Sequence, residues 1–220
     1  MKTLVFSDTH LTSRFNEGKF QFLKKIIEPV DQVIINGDFW DGYLTSFDEF
    51  VKSDWKKLFP VLKQKKTIYI YGNHDKTKWM DKRVNLFSIK QTKLLKRRFK
   101  DKELIIQHGH LTENGSKNNL INWKKNKLIC RLALNTRRGL TRILGPDIIN
   151  LAPPVIIKHR KIKGWVERKI GQKQILICGH SHRAYFNPEK KYINCGFVNG
   201  SHAQYLIIGD EEIELVRTGY

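Results

Sequence analysis

The stretch IYIYGNHDK, residues 68–76, joins four strand-favouring residues directly to glycine, asparagine, histidine and aspartate. A short apolar run that stops at a glycine is typical of a buried β-strand. The residues that follow it carry side chains able to bind metal ions or transfer protons. One such cluster is weak evidence, because asparagine and aspartate are also common in turns. Its meaning depends on whether other strands of the chain end in the same way.

Four other apolar segments of the 220-residue chain also end in polar clusters. Ligands of open α/β sheets bind beyond the carboxyl ends of the strands, so five such clusters predict one site at one edge. The clusters are Asp8-Thr9-His10, Gly37-Asp38-Phe39-Trp40-Asp41, Gly72-Asn73-His74-Asp75, His108-Gly109-His110 and Gly179-His180-Ser181-His182.

The types and spacing of these side chains favour a two-metal site. Residues two apart in an extended strand point the same way, so Asp8 and His10 are expected to bind one ion. By the same argument His180 and His182 are expected to reach the same neighbourhood. The glycines that precede Asp38, Asn73 and His180 allow sharp turns and close approach. Carboxylate and imidazole ligands without thiolate favour Mn, Fe or Zn, and a shared carboxylate such as Asp38 is able to bridge two ions.

The apolar pattern predicts an α/β fold. Strands are expected at TLVFSD, QVIINGD, TIYIYGN and ELIIQHGH, with a helix after the first that ends near Pro29. A second helix is expected from Phe47 to Phe59, stopping near Pro60. Residues 76–102 are polar and basic, with a weak helical pattern around Leu86 to Leu95. The next strand signals are PVIIK, QILICGH, KYINCGF, QYLIIGD and EIELV, and the closely spaced last group predicts a β-meander.

Positive charge is the strongest feature of the composition. Lys and Arg total 41 against 21 acids, a formal charge of +20, which favours an anionic partner. That partner is a phosphorylated substrate, nucleic acid or an anionic membrane surface. The alternative, a basic protein that has no such partner, stays open. Residues 114–170 hold 14 basic and two acidic residues with interleaved apolar ones. They predict a basic, amphipathic helical insertion, or lid, within a single domain over residues 1–220.

The cellular setting is predicted from cysteines and apolar runs. Cys130, Cys178 and Cys195 are too scattered for a disulfide framework and favour free thiols in a reducing cytosol. The first apolar run meets Asp8 almost at once and is too short for a signal peptide. No run approaches the ~18 apolar residues of a spanning helix. We expect a cytoplasmic protein. Peripheral association with the inner face of the membrane is compatible with this expectation.

The ordered set DTH, GDFWD, GNHD, HGH and GHSH resembles the five-motif signature of the calcineurin-like metallophosphoesterases. The resemblance implies an αββα sandwich of two mixed sheets flanked by helices. It also implies cleavage of a phosphoester or pyrophosphate bond by metal-bound hydroxide, with two divalent ions: Mn first, and Fe, Zn or Mg as alternatives. The implied ligands are Asp8, His10, Asp38 and His182 for one ion, and Asp38, Asn73, His108 and His180 for the other.

Two residues beside these ligands have implied catalytic roles. His74 matches the histidine that contacts the phosphate and protonates the leaving oxygen, and Asp41 matches the acid that orients it. An acid that caps a loop is the alternative for Asp41. Asn73 and His74 are also expected to contact substrate, whereas His110 either lines the pocket with them or only hydrogen-bonds.

The substrate is less determined than the chemistry. The insertion resembles the lid of UDP-2,3-diacylglucosamine diphosphatases of lipid A synthesis, which implies a lipid substrate. Arginine is common in that subgroup at the position of His74, so the histidine favours a more general phosphoesterase. A nuclease or phosphodiesterase acting on nucleic acid or nucleotides is the first alternative, with Trp123 or Trp165 as stacking residues. A non-catalytic scaffold of the same fold is the second, and no protein partner is expected.

Overall fold

The computed structural model describes residues 1–113 and 145–220, together with positions 132, 136, 139 and 143. Most of the predicted insertion therefore lies outside the described residues. The strands are β1 (Thr3–Phe6), β2 (Gln32–Asn36), β3 (Ile68–Ile70), β4 (Lys90–Thr92), β5 (Leu95–Phe99), β6 (Lys102–Ile106), β7 (Gln174–Cys178), β8 (Tyr185–Asn187), β9 (Tyr192–Asn194), β10 (Val198–Asn199), β11 (His202–Ile208) and β12 (Ile213–Gly219). The α-helices are α1 (Glu17–Ile27), α2 (Phe47–Lys52), α3 (Phe59–Gln64) and α4 (Pro153–Lys169). Short 3-10 helices lie at Asp54–Leu58, Thr77–Trp79, Lys82–Leu86, His110–Glu113 and Pro146–Leu151.

Two mixed sheets form the centre of the fold. The first has the order β10-β11-β1-β2-β3-β4, with β12 paired to β11. Strands β1 to β4 are parallel, and β10, β11 and β12 add an antiparallel end. The second sheet has the order β5-β6-β7-β9-β8, with parallel pairs in the middle and antiparallel pairs at both ends. The predicted fold class, two mixed sheets with helices, is confirmed.

Apolar side chains pack in three layers around these sheets. The inter-sheet core consists of buried residues from both sheets, among them Val5, Ile34 and Ile177. Helices α1 to α3 cover the outer face of the first sheet. Helix α4 covers the second sheet through Ile162 and Val166. Because each sheet is buried on both faces, its central strands are apolar throughout rather than alternating, and this explains why they were recognisable in the sequence.

Local signals fix the starts of the helices. The Asn16 side chain accepts a hydrogen bond from the Lys19 amide (2.8 Å) and so caps α1. Ser46 and Glu49 form a reciprocal capping box at the start of α2. Within the described part of the chain, no helix is both long enough and apolar enough to cross a bilayer.

Two helix boundaries differ from the prediction. The segment after Phe47 does not stop at Pro60, because Pro60 lies in the first turn of α3, where a missing N–H costs nothing. The run PVIIK, which signals a strand in the sequence, belongs to the first turns of α4. Its β-branched residues favour a strand only weakly, and packing of the helix on the second sheet overrides that preference.

Two further predictions need correction. The helix that the weak pattern around Leu86 to Leu95 indicates is wrong, since β4 pairs with β3 and β5 pairs with β6. The late strands do not form one meander, because β9 joins the second sheet while β10 to β12 join the first. Cys178 and Cys195 are free thiols, as predicted, and both are buried, while Cys130 lies outside the described residues.

Candidate metal centre

The five polar clusters lie together at one edge of the sandwich. They follow β1, β2 and β3 of the first sheet and β6 and β7 of the second. Backbone hydrogen bonds continue between the clusters, as from the Asp8 amide to the Gly37 carbonyl (3.1 Å). The two sheets are joined where the His180 amide donates to Asp8 Oδ2 (3.0 Å). Both sheets therefore contribute to one site, as the pattern of strand ends predicts.

The first group of candidate ligands consists of Asp8, His10 and His182. His182 Nε2 lies 2.8 Å from Asp8 Oδ1, and His10 Nε2 lies 3.8 Å from the same oxygen. The two Nε2 atoms are 3.5 Å apart. Imidazole nitrogens that face each other and a carboxylate are a donor set that fits a divalent cation. The geometry fits the first predicted metal site, while the ligand roles themselves stay predictions.

The second group consists of Asp38, Asn73, His108 and His180. His108 Nε2 lies 3.2 Å from both Asp38 Oδ2 and Asn73 Oδ1. Ligand atoms of Asp38, His108 and His180 all lie within 4.8 Å of one another. Asp38 Oδ2 is also 3.8 Å from His10 Nε2 of the first group. Asp38 thus occupies the position between the groups that a bridging carboxylate requires.

Asp41 contacts two histidines rather than the single one expected. Its Oδ2 lies 3.1 Å from His74 Nδ1 and 3.4 Å from His10 Nδ1. Its Oδ1 accepts a hydrogen bond from the Tyr43 amide (3.0 Å), so the loop-capping alternative is also realised by the same side chain. The second contact was missed because nothing in the sequence shows which ring nitrogen of His10 faces the loop.

His74 and His110 occupy different parts of the site. His74 is 22% exposed, and its ring packs edge-on against His10 with ring centres 4.5 Å apart. That partial exposure suits a group that contacts substrate. The His110 ring lies 5.5 Å from His108 and 6.2 Å from His180, beside the second ligand group. The predicted substrate contacts of Asn73, His74 and His110 remain predictions.

Buried charge dominates the electrostatics of the site. Burial alone lowers the pKa of His10, but hydrogen bonds with Asp41 and Asp8 outweigh it and raise the pKa to about 9. Burial likewise opposes protonation of His108, while the charges of Asp38 and Asp8 raise its pKa to about 10. The pKa values of Asp8 and Asp38 are lowered despite burial, because the histidines surround them. Such a cluster attracts cations, and a bound metal ion would replace these protons.

Five of the seven candidate ligands have left-handed backbone conformations. This corrects the assumption of extended spacing, although the residues still converge as expected. Positive φ is uncommon for residues other than glycine, and such strain concentrates at functional sites. The φ angles are 55° for Asp8, 45° for His10, 53° for Asp38, 63° for His180 and 59° for His182.

Three glycines make this crowding sterically possible. Gly37 has φ of 84°, and a Cβ there would lie 2.5 Å from His108 Nδ1. A Cβ at Gly72 would collide with Asp38 Oδ1, and one at Gly179 would collide with the Asp8 carboxylate. The predicted close approach is therefore present at all three, whereas the turn with positive φ occurs only at Gly37.

Two buried residues organise the site without having been predicted to do so. The Asp75 carboxylate accepts hydrogen bonds from the amides of Phe39 (2.8 Å) and Gly72 (2.6 Å), tying two clusters together. Asn194 Nδ2 donates to the Gly179 carbonyl (2.6 Å) and supports a third cluster. Asp75 was visible as the last residue of its motif. The role of Asn194 depends on the pairing of β7 with β9 and has no local signal.

Comparison with protein families decides the relationship. The model of the calcineurin-like phosphoesterase family matches residues 1–184. The chain belongs to the calcineurin-like phosphoesterase family. It is therefore a metal-dependent phosphoester hydrolase. The match does not separate subgroups, so the resemblance to UDP-2,3-diacylglucosamine diphosphatases stays a proposal.

Several solved structures are similar to this calcineurin-like phosphoesterase. A novel archaeal phosphodiesterase shares 19% identity over 99% of both chains, with a TM-score of 0.49. Yfce, a phosphoesterase from E. coli, shares 16% identity over 98% of both chains, with a TM-score of 0.49. Wild-type Vps29 of Entamoeba histolytica, complexed with Zn²⁺, shares 14% over 100% of this chain and 99% of its own, with a TM-score of 0.44. No curated protein matches significantly. These similarities assign neither substrate nor partner.

Proposed function

We propose that this phosphoesterase cleaves phosphodiester or pyrophosphate bonds at a centre for two divalent cations, with Mn expected first and Fe, Zn or Mg as alternatives. The observation that carries the proposal is the position of Asp38. Its Oδ2 lies 3.2 Å from His108 Nε2 of one ligand group and 3.8 Å from His10 Nε2 of the other. When bound, two such cations neutralise phosphoryl oxygens and lower the pKa of water.

The protein's own side chains supply proton transfer and orientation. A water oxygen bonds to phosphorus and gives up a proton to the solvent, the bond from phosphorus to the leaving oxygen breaks, and His74 donates a proton to that oxygen. Asp41 Oδ2 lies 3.1 Å from His74 Nδ1 and orients the ring, which leaves Nε2 as the atom that exchanges protons with substrate. The same oxygen faces His10 Nδ1 (3.4 Å) and keeps His10 Nε2 directed at Asp8 and His182.

For the substrate, we propose a UDP-2,3-diacylglucosamine-type lipid, whose cleaved bond is a pyrophosphate. The basic, apolar composition of residues 114–170 supports this choice. Four apolar side chains of that segment are exposed: Leu132, Ile143, Leu151 and Ile157. A cytoplasmic enzyme associated with the inner face of the membrane is the corresponding proposal for location.

Nucleic acid is the second candidate, because the same +12 segment would attract a phosphate backbone. Of its proposed stacking residues, Trp165 instead packs on the apolar cluster beneath α4. Trp123 lies outside the described residues. The lipid is therefore the better supported of the two.

A screen with manganese tests both the reaction and the substrate. The wild type is expected to cleave a phosphodiester or a UDP-lipid with release of UMP, while Asp38→Asn cleaves neither. Equal rates in wild type and Asp38→Asn, or cleavage of phosphomonoesters alone, would contradict the proposal. Retention on anionic liposomes together with UMP release supports the lipid. Activity on single-stranded DNA that falls steeply with salt supports nucleic acid instead.

A further inference from the structure

Three side chains beside His74 form a cluster that the roles above leave unused. They are Tyr43, Lys76 and Trp79, here called the lysine rim. The Tyr43 ring packs edge-on against His74 with centres 4.9 Å apart, and Trp79 packs edge-on against Tyr43 at 5.0 Å. All three side chains are partly exposed. The lysine rim therefore borders the residue that donates a proton to the leaving oxygen.

The ammonium group of Lys76 is positioned by contacts with Tyr43 and Trp79. Its Nζ donates a hydrogen bond to Tyr43 Oη (3.1 Å) and lies 5.3 Å from the Tyr43 ring centre. The same atom lies 4.6 Å from the Trp79 ring centre. Within residues 1–113 and 145–220, no carboxylate forms an ion pair with it. Two aromatic faces order the lysine, yet they leave its charge available to an anion.

The loops that carry Asp41 and His74 also form the lysine rim. The Gly42 amide donates to the His74 carbonyl (2.8 Å), which joins the loop of Asp41 to the loop of His74. A Cβ at Gly42 would lie 2.5 Å from Trp79 Cε3, so glycine is needed for Trp79 to pack here. The position of Lys76 relative to His74 is consequently set by the same short contacts that hold the proton donor.

We infer that Lys76 selects the leaving group by binding an anionic group on the leaving side of the substrate. The inference rests on the proposed role of His74, because the leaving oxygen must approach that residue. A leaving group next to His74 extends over the adjoining Tyr43 ring towards the Lys76 ammonium. A phosphate there receives a charge-assisted hydrogen bond, whereas a neutral alcohol receives none. The enzyme is thereby specific for leaving groups that carry a phosphate.

Two substrates with the same reacting phosphate separate this role from a structural one. UDP-glucose has a sugar phosphate as leaving group, and uridine 5′-(p-nitrophenyl phosphate) has p-nitrophenol, which carries no phosphate, in its place. Lys76→Met keeps the length of the side chain and removes the charge. We expect it to lower kcat/KM for UDP-glucose about 10- to 100-fold, the loss of one hydrogen bond to a charged group, and for the aryl ester less than about threefold.

Lys78→Met is the matched control, because Lys78 is exposed and lies two residues further along the chain. It is expected to leave both substrates within about twofold of wild type. An unchanged unfolding midpoint shows that Lys76→Met folds, and Lys76→Gln serves as the second variant. Equal losses on both substrates, or no loss on UDP-glucose, would overturn the inference.

A wild type that cleaves neither substrate would count against the proposed function alone. In that case, binding of inorganic pyrophosphate still tests the inference. Calorimetric titration of the manganese-loaded protein compares pyrophosphate with phosphate. Lys76→Met is expected to weaken pyrophosphate binding about tenfold or more and to leave phosphate binding unchanged. The same pyrophosphate affinity in wild type and Lys76→Met would refute a leaving-side anion site.

Discussion

The inter-sheet core and the metal-site edge are built from the same strands, but their residues differ in polarity and in backbone conformation. In the core, Val5, Ile34 and Ile177 are fully buried, apolar and regular in backbone. Asp8 and Asp38, each two residues beyond the end of β1 or β2, are just as buried but carry charge on left-handed backbone. The core supplies free energy of folding, which offsets the strain and buried charge of the edge.

This contrast teaches that activity and stability are separated along each strand. Substitutions at the edge are expected to remove activity with little loss of stability. Those in the core are expected to remove stability with little loss of activity per folded molecule. Variants at both places break or sharpen the comparison.

Asp38→Asn is expected to have the largest effect. The rate on a phosphodiester falls at least about 1,000-fold, or ~4 kcal/mol, because the carboxylate shared by both ligand groups is lost. The unfolding temperature of the metal-free protein falls slightly, because His108 and His10 lose a counter-charge that stabilises their protonated forms. Steady-state rates and thermal melting are the measurements. A residual rate within tenfold of wild type would show that Asp38 does not bridge the groups.

His74→Asn is expected to lower kcat by about 100- to 10,000-fold on a substrate with a poor alcohol leaving group. The effect is smaller with p-nitrophenol, which leaves without protonation. Metal binding stays at the wild-type level, because His74 belongs to neither ligand group, and serves as the control. An unchanged rate on the poor leaving group would remove the proton-donor role.

Ile177→Ala tests the core side of the comparison. Ile177 is fully buried in β7, three residues before His180. The free energy of unfolding is expected to fall by about 2–5 kcal/mol through lost burial and a cavity. Chemical denaturation measures this change, and kcat per folded molecule stays near wild type. A loss of kcat comparable to that of His74→Asn would mean that core and edge are not separable.

His159 is a buried titratable residue of α4 whose ring contacts Tyr185 and Tyr192 of the apolar cluster beneath the helix. Burial, and then the charges of Arg183 and Lys163, lower its pKa to about 4. Above pH 6.5 both states are neutral there; as pH falls from 6.5 to 4, only the unfolded chain takes up the proton, so stability falls. Between pH 7.5 and pH 5, we expect the free energy of unfolding of the wild type to fall by about 1–2 kcal/mol more than that of His159→Asn. Denaturation at pH 7.5 and pH 5 measures it, and identical pH dependence in both proteins would contradict it.

The sequence predicts the fold and the position of the site because both follow from strand ends. Central strands buried on both faces are apolar runs, and polar residues directly after them mark the shared edge. Residues 86–99 escaped prediction because β4 and β5 gain their structure by pairing with β3 and β6. Local propensity contains no information about those partners.

The finer geometry of the site depends on contacts between distant segments. Asp41 contacts both His10 and His74 only because the loops after β1, β2 and β3 meet. The left-handed conformations of residues such as Asp8 and Asp38 oppose the preference of their side chains, so no propensity predicts them. They are imposed by hydrogen bonds between loops, which appear only in the folded chain.

Metal stoichiometry tests the central claim most directly. Protein loaded with manganese and freed of unbound ions is expected to hold two ions per chain. Asp38→Asn is expected to hold at most one, because its shared carboxylate belongs to both groups. Less than one ion in the wild type, or two ions in both proteins, would contradict a pair of cations bridged by Asp38.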